Sequence, residues 1–213
     1  MAVSLPNGVL LSLATSYGPV VTVTGITNAN PGVATATAHG FTNGDILEVT
    51  SGWSRLNNRL VRVAGVTANT FNVEGIDSSN VTLYPAGTGG GSVRKILTWT
   101  QISQILELTS SGGEMQYVNY SFLEQDFETQ LPTQSSPQTL SMTIADDQTL
   151  PGFIAMKAVA QTRALTGLRA SLPNGSVLFY NGYVNLDETP SMTKNQVMGC
   201  RGGFSLQSRP VRY

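Results

Sequence analysis

Apolar and polar residues alternate along much of this chain, in long stretches near its two ends and in short ones between. Thr139 to Ala145 sets Leu140, Met142 and Ile144 against Ser141 and Thr143, a period of two that predicts a strand with one buried face. Val177 to Leu186 is rich in aromatic and branched residues and predicts a longer strand, with Asn195 to Gln207 as the next. Leu172-Pro173-Asn174-Gly175 makes the turn before them, because proline presets φ and Asn-Gly tolerates a positive one. Val9 to Ala14, Ile96 to Thr100, Ile105 to Thr109 and Tyr117 to Phe122 also read as strands, with Ser110 to Gly113 as a turn. Leu123 to Gln138, with Pro132 and Pro137, reads as a long polar loop, of the kind that is functional or ordered only when bound. The pattern is helical in one place. Pro151 suits a first helical turn, Asp146, Asp147 and Thr149 favour a start, and Phe153, Met156 and Ala160 form a stripe, so Leu150 to Thr162 is predicted as a helix ending before Gly167.

Between Val23 and Val93 the segments shorten. Val33 to Ala38, Ile46 to Val49, Leu60 to Val66 and Thr70 to Val73 are candidate strands, and Pro85 to Ser92 reads as a flexible hinge. The expectation is a β-rich module over residues 23–93, inserted into a host domain made of residues 1–22 and 94–213. Ser4-Leu5-Pro6-Asn7-Gly8 recurs at Ser171 to Gly175, which independent turn chemistry explains.

Composition agrees with β-structure: 22 glycines among 213 residues, and only 12% charged side chains, about half the usual share. A net charge of −1 predicts no general affinity for nucleic acid or anionic membranes. No basic region precedes the apolar run of Met1 to Leu13, so no signal peptide is expected, and no run approaches the roughly 18 apolar residues of a membrane span. One cysteine excludes internal disulfides and fits assembly in a cytoplasm. The charges are segregated. Residues 97–156 hold seven carboxylates and no lysine or arginine, whereas residues 157–213 hold seven basic and two acidic side chains. Either the two halves neutralise each other within one chain, or they serve self-association.

Catalytic chemistry is poorly represented. His39 and Cys200 are the only residues of their kinds, which removes a His-rich or four-cysteine metal site. His39 fits a structural turn and Cys200 a buried thiol. Gly89-Gly90-Gly91 lacks the lysine and helix of a phosphate loop. Glu124, Asp126, Glu128, Asp146 and Asp147 fit a solvated loop and a helix start better than a glycosidase pair, which needs an aromatic cleft. Trp53 fits the core, or else a ligand-stacking role. No catalytic residue, cofactor or metal is expected.

Ala38-His39-Gly40-Phe41-Thr42-Asn43-Gly44-Asp45 and Val66-Thr67-Ala68-Asn69-Thr70-Phe71 resemble a small β-barrel repeat of phage tail and fibre proteins. That barrel is related to the first catalytic-cysteine half-domain of ubiquitin-activating enzymes, but no cysteine lies here to carry chemistry over. The helix, the Pro-Asn-Gly turn, Phe179-Tyr180-Asn181-Gly182-Tyr183-Val184 and the closing strand to Ser208-Arg209-Pro210 resemble, in order and spacing, the tail tube proteins of lambda-type, long non-contractile-tailed bacteriophages. That resemblance covers Ile96 to Tyr213 and the first twenty residues, with Leu123 to Gln138 similar to the family's acidic loop. It departs at the inserted module and in lacking an appended C-terminal domain.

The resemblance implies a mainly β fold, a tail-tube β-sandwich with one flanking α-helix. It implies hexameric rings whose inner strands close into one barrel and stack into a conduit for DNA ejection. The implied partners are further copies of the chain, the tape measure, tail terminator and tail tip proteins, and DNA passing without specific binding. The implied location is the virion, with assembly in the host cytoplasm and no membrane. Glu124, Asp126 and Glu128 are expected to contact a neighbour, with Arg163, Arg169 and Arg201 as candidates. The rival expectation is a monomeric tail-tip or fibre adhesin that binds cell-surface glycans through the small module, with Trp53 as its contact.

Overall fold

The computed structural model describes residues 7–213. The part of the repeated pentapeptide before Asn7 lies outside the described residues. The fold is mainly β with one helix. Its central strands are β1 (Leu10–Val23), and β7 (Gly91–Ile102), which run antiparallel over most of their length. From β1 the sheet continues through β12 (Leu165–Ser171), β13 (Val177–Ser191), β14 (Gly199–Leu206) and β11 (Thr139–Ala145) to β8 (Ile105–Ser111). A short strand, β15 (Val211–Arg212), pairs with the start of β13.

Helix α1 (Pro151–Thr162) lies against this sheet with Phe153 and Met156 buried. They share an apolar cluster with Leu11 and Leu13 of β1, Leu140 and Met142 of β11 and Phe204 of β14. Three strands separate β1 from β11 in the sheet, so one cluster can hold residues of both only because the sheet curls. The β-sandwich takes the form of one sheet curled round its helix. Pro151 opens α1 as expected, at a position where its missing N–H costs no hydrogen bond. Asp147 builds the turn before the helix instead of capping it, accepting from the N–H and hydroxyl of Thr149. The helix stops at Arg163, which takes the left-handed conformation and donates its N–H to the Val159 carbonyl. The helix ends at Thr162 as expected, and Gly167 is already a strand residue of β12.

The remaining strands are β2 (Gly25–Ile26), β3 (Gly32–Thr35), β4 (Ile46–Ser51), β5 (Arg59–Ala64) and β6 (Thr70–Val73). Pairing runs β2 to β3, β6, β5, β4, β7 and β1, and only Thr24 separates β1 from β2, so the pairings and the chain together close a circuit. Inside it lie Val23, Leu47, Trp53, Val61, Phe71 and others, a second cluster distinct from that under α1. The glycine-rich stretch before β7 is not the hinge expected from its composition. A Cβ on Gly89 would stand 2.8 Å from the Trp53 ring, and one on Gly91 would collide with the Thr50 carbonyl oxygen. These glycines permit close packing, and Gly91 already belongs to β7.

Strands β1 and β7 serve both clusters. Register shifts between Ala14 and Val20 bend the pair where it passes from one cluster to the other. A third cluster, of Ala14, Leu60, Ile96 and Phe179, fills the angle between them. The strand expected from Asn195 begins only at Gly199, because Asn195 has φ of 66° and residues 192–198 form a loop. Strand β13 instead runs on to Ser191, five residues past the predicted end.

Candidate assembly surfaces

At Gly112 and Gly113, both with positive φ, the chain leaves the large sheet. It forms a separate two-stranded arm of β9 (Met115–Tyr120) and β10 (Thr129–Ser135) before returning as β11. The stretch expected to be loop from Leu123 to Gln138 is therefore half strand. Pro132 is tolerated because, among the described residues, β10 has only one hydrogen-bonded neighbour, so a missing N–H can face outward. Both faces of the arm are exposed, including Tyr117, Val118 and Leu131. At its tip the Gln125 N–H closes a turn on the Phe122 carbonyl, and Leu123 and Phe127 project into solvent. A run of apolar side chains on an isolated hairpin has no reason to be stable in water, and such a patch marks a contact surface.

Glu124, Asp126 and Glu128 all lie at this tip and are exposed. Glu128 accepts from the Asn119 side chain at 3.3 Å. The ion pairs among the described residues are Arg62–Glu74, Arg94–Glu48, Lys95–Asp45 and Lys157–Glu188, so the tip carboxylates are in none of them. The three arginines proposed to meet them are scattered. Arg163 ends α1 and is exposed; Arg169 on β12 lies over the Trp99 ring at 5.0 Å, its buried Nε without a partner among the described residues. Arg201 on β14 shares a cavity of about 520 Å³ with Glu107 and Asp187.

That cavity belongs to a polar face opposite α1. Across neighbouring strands the register aligns Asp187, Arg201, Thr143 and Glu107 in one row, and Asn185, Gly203, Ser141 and Thr109 in the next. The residues between them, Leu140, Met142, Ile144, Cys200 and Phe204, face the core. Two strand edges bound this four-strand face. Among the described residues strand β8 pairs with β11 alone, and β13 beyond Tyr183 pairs with β14 alone, because β12 stops opposite Tyr183. Unpaired edges of this length are templates for another strand.

A second cleft, of about 480 Å³, lies where the closed circuit meets the chain after β14, and Arg55, Arg59 and Arg209 line it beside Tyr84, Ser208 and Pro210. Sequence reasoning missed it, because Arg209 is brought to the other two only by the fold. Trp53, His39 and Cys200 are built into the packed interior. Trp53 is 1% exposed, donates its indole N–H to the Pro85 carbonyl at 2.8 Å and packs edge-on to Tyr84, so it is no surface contact for a glycan. His39 is buried against Phe41 and Phe71 and accepts the Phe41 N–H, the turn role expected. Cys200 is fully buried, and burial with Asp146 nearby pushes its thiol pKa up, away from a reactive thiolate. Glu48 is buried too; desolvation raises its carboxyl pKa although Arg94 grips it at 2.8 Å. Among the described residues no group of three or more His, Cys, Asp or Glu is placed to hold a metal. No helix among them is long and apolar enough to cross a membrane.

Open sheet edges and a projecting apolar arm are the features of a structural subunit built to be joined to others. The family model described as phage tail tube protein, TTP, matches residues 51–213, so the chain belongs to the phage tail tube protein family. It is a structural component of the phage tail and thereby of the virion. The match begins at the last residue of β4 and takes in every later element. No curated protein matches the chain.

Proposed function

We propose that this chain forms hexameric rings that stack into the tail tube and enclose the channel for DNA ejection. The observation that carries this reading is the pair of open edges, β8 and the Val184 to Ser191 half of β13, at opposite sides of one four-strand face. Pairing β8 of one subunit with β13 of the next leaves no edge once the ring closes, which is how barrels avoid indiscriminate pairing. The polar rows of that face would line the channel. Each subunit places Glu107, Asp187 and Arg201 there among threonine, serine and asparagine, a surface without the basic excess that holds DNA.

In this reading Glu124, Asp126 and Glu128 contact basic residues of an adjacent subunit or ring. Residues 23–93 act as a module inserted between residues 1–22 and 94–213, projecting outward to stabilise the tube or bind cell-surface glycans weakly. Tape measure, tail terminator and tail tip proteins meet the tube along its length and ends, after assembly in the host cytoplasm. Negative-stain microscopy of the purified protein tests the proposal. Rings or tubes with sixfold symmetry are expected, and a uniform field of single subunits at high concentration would overturn it.

A further inference from the structure

The arginine cleft has three features that together point to an anionic occupant. Arg55, Arg59 and Arg209 converge on it, and no carboxylate is among its lining residues. The Nε of Arg59, one of the lining residues, is buried and has no hydrogen-bond partner among the described residues, an unusual state for a cationic group. Burial lowers the Arg59 pKa, a cost to its charged form that an incoming negative charge would offset. Three like charges held together without a counter-charge destabilise the single subunit and gain when one arrives.

The cleft is also one end of a track. Gln207, Ser208, Arg209 and Pro210 form a wall shared with a larger cavity of about 820 Å³, whose other wall is Gln134 to Gln138 at the root of the arm. From the base of the arm to the arginines the surface is thus continuously grooved. The arm tip carries the complementary chemistry: Glu124, Asp126 and Glu128 within five residues, none of them in an ion pair, with exposed Phe127 between two of them.

We propose that the arginine cleft is the socket for the arm tip of a second copy of this chain, with Glu124, Asp126 and Glu128 seated on Arg55, Arg59 and Arg209. This deepens, and rests on, the reading of the chain as a self-assembling tube subunit. The contact is head to tail: each subunit offers an arm to one neighbour and a socket to another, so it propagates without limit. Phe127 enters beside Tyr84 and Pro210, whose apolar surfaces line the same cleft.

A charge swap tests it. Lysine at positions 124, 126 and 128 makes one variant; Arg55→Glu with Arg209→Glu makes the second, sparing the half-buried Arg59 so that the fold is kept. Each, checked for unchanged circular dichroism and melting, should raise the critical concentration for tube growth by about tenfold or more. Mixing the two purified variants should restore growth, because alternating copies set every arm opposite a socket of opposite charge, and one chain carrying both sets of changes should likewise assemble close to the natural protein. The socket is overturned if the Arg55 and Arg209 variant grows tubes normally while the arm variant does not, or if rescue comes instead from reversing Arg163 and Arg201. Failure of the unaltered protein to form any ring or tube would sink the tube reading itself, a result distinct from either.

Discussion

Tyr213 ties distant parts of the chain together through one hydroxyl. It accepts the Arg62 backbone N–H at 2.8 Å and donates to the Glu74 carbonyl at 2.9 Å, while its own backbone exchanges two hydrogen bonds with Val177. The Arg62 guanidinium covers the Tyr213 ring and forks onto the Glu74 carboxylate at 2.6 and 2.7 Å. This hydrogen bonding holds the Glu74 pKa below its ordinary value of 4.5. A carboxylate with a depressed folded pKa stabilises the fold above its unfolded pKa, and the contribution is lost as pH falls through the folded value. Urea unfolding between about pH 5 and pH 3 should therefore show an acid loss of stability that is smaller in Glu74→Gln. The difference should stay under about 1 kcal/mol, because both side chains are more than a third exposed and solvent screens the pair. Parallel pH curves for the two proteins would show that the fork contributes nothing. Single residues were legible where local sequence decides their role, as for His39 in its turn. The Arg62, Glu74 and Tyr213 group was not, since Tyr213 reaches β5 and β6 only once the sheet has curled.

Among the elements, the arm differs most from its expected form. Strands β9 and β10 bury neither face, so they lack the alternation between a buried and a wet side that makes a strand legible, and their polar half passed for loop. Strand β11 and helix α1 were legible for the opposite reason: each buries one regular stripe against the same cluster. An arm held only by its own ladder should exchange its amide hydrogens quickly in the free subunit, on the scale of a fraying terminus. Hydrogen exchange read by mass spectrometry should show residues 115–135 as fast in subunits kept below the concentration for assembly and much slower in tubes. Equal protection in both states would mean that the arm is rigid by itself and gains no partner.

At the scale of the molecule, β1 and β7 are the common structure of two cores. Composition suggests a break near residue 90, but β7 begins at the very next residue and a Cβ on Gly90 would stand 3.0 Å from the Thr24 carbonyl oxygen, so the chain is closely packed there. Heating should give one calorimetric transition, with van't Hoff and calorimetric enthalpies in agreement, since neither core can lose the shared ribbon and survive. Two separated transitions would mean that residues 23–93 hold together unaided. Chain length, strand content and the family likeness were legible in the sequence, whereas curl and shared strands arise from contacts between residues about eighty apart and leave no local mark.

Strand β13 carries one further consequence. Its first half, Val177 to Tyr183, is pinned within the subunit by β12, and its second half, Val184 to Ser191, is left open on that side. The two halves are one continuous strand, so the pinned half helps set where the open half, laddered to β14, is presented. A copy that has not completed its own hairpin has no edge to hand on, and a growing tube would proofread its subunits simply by the way they are admitted.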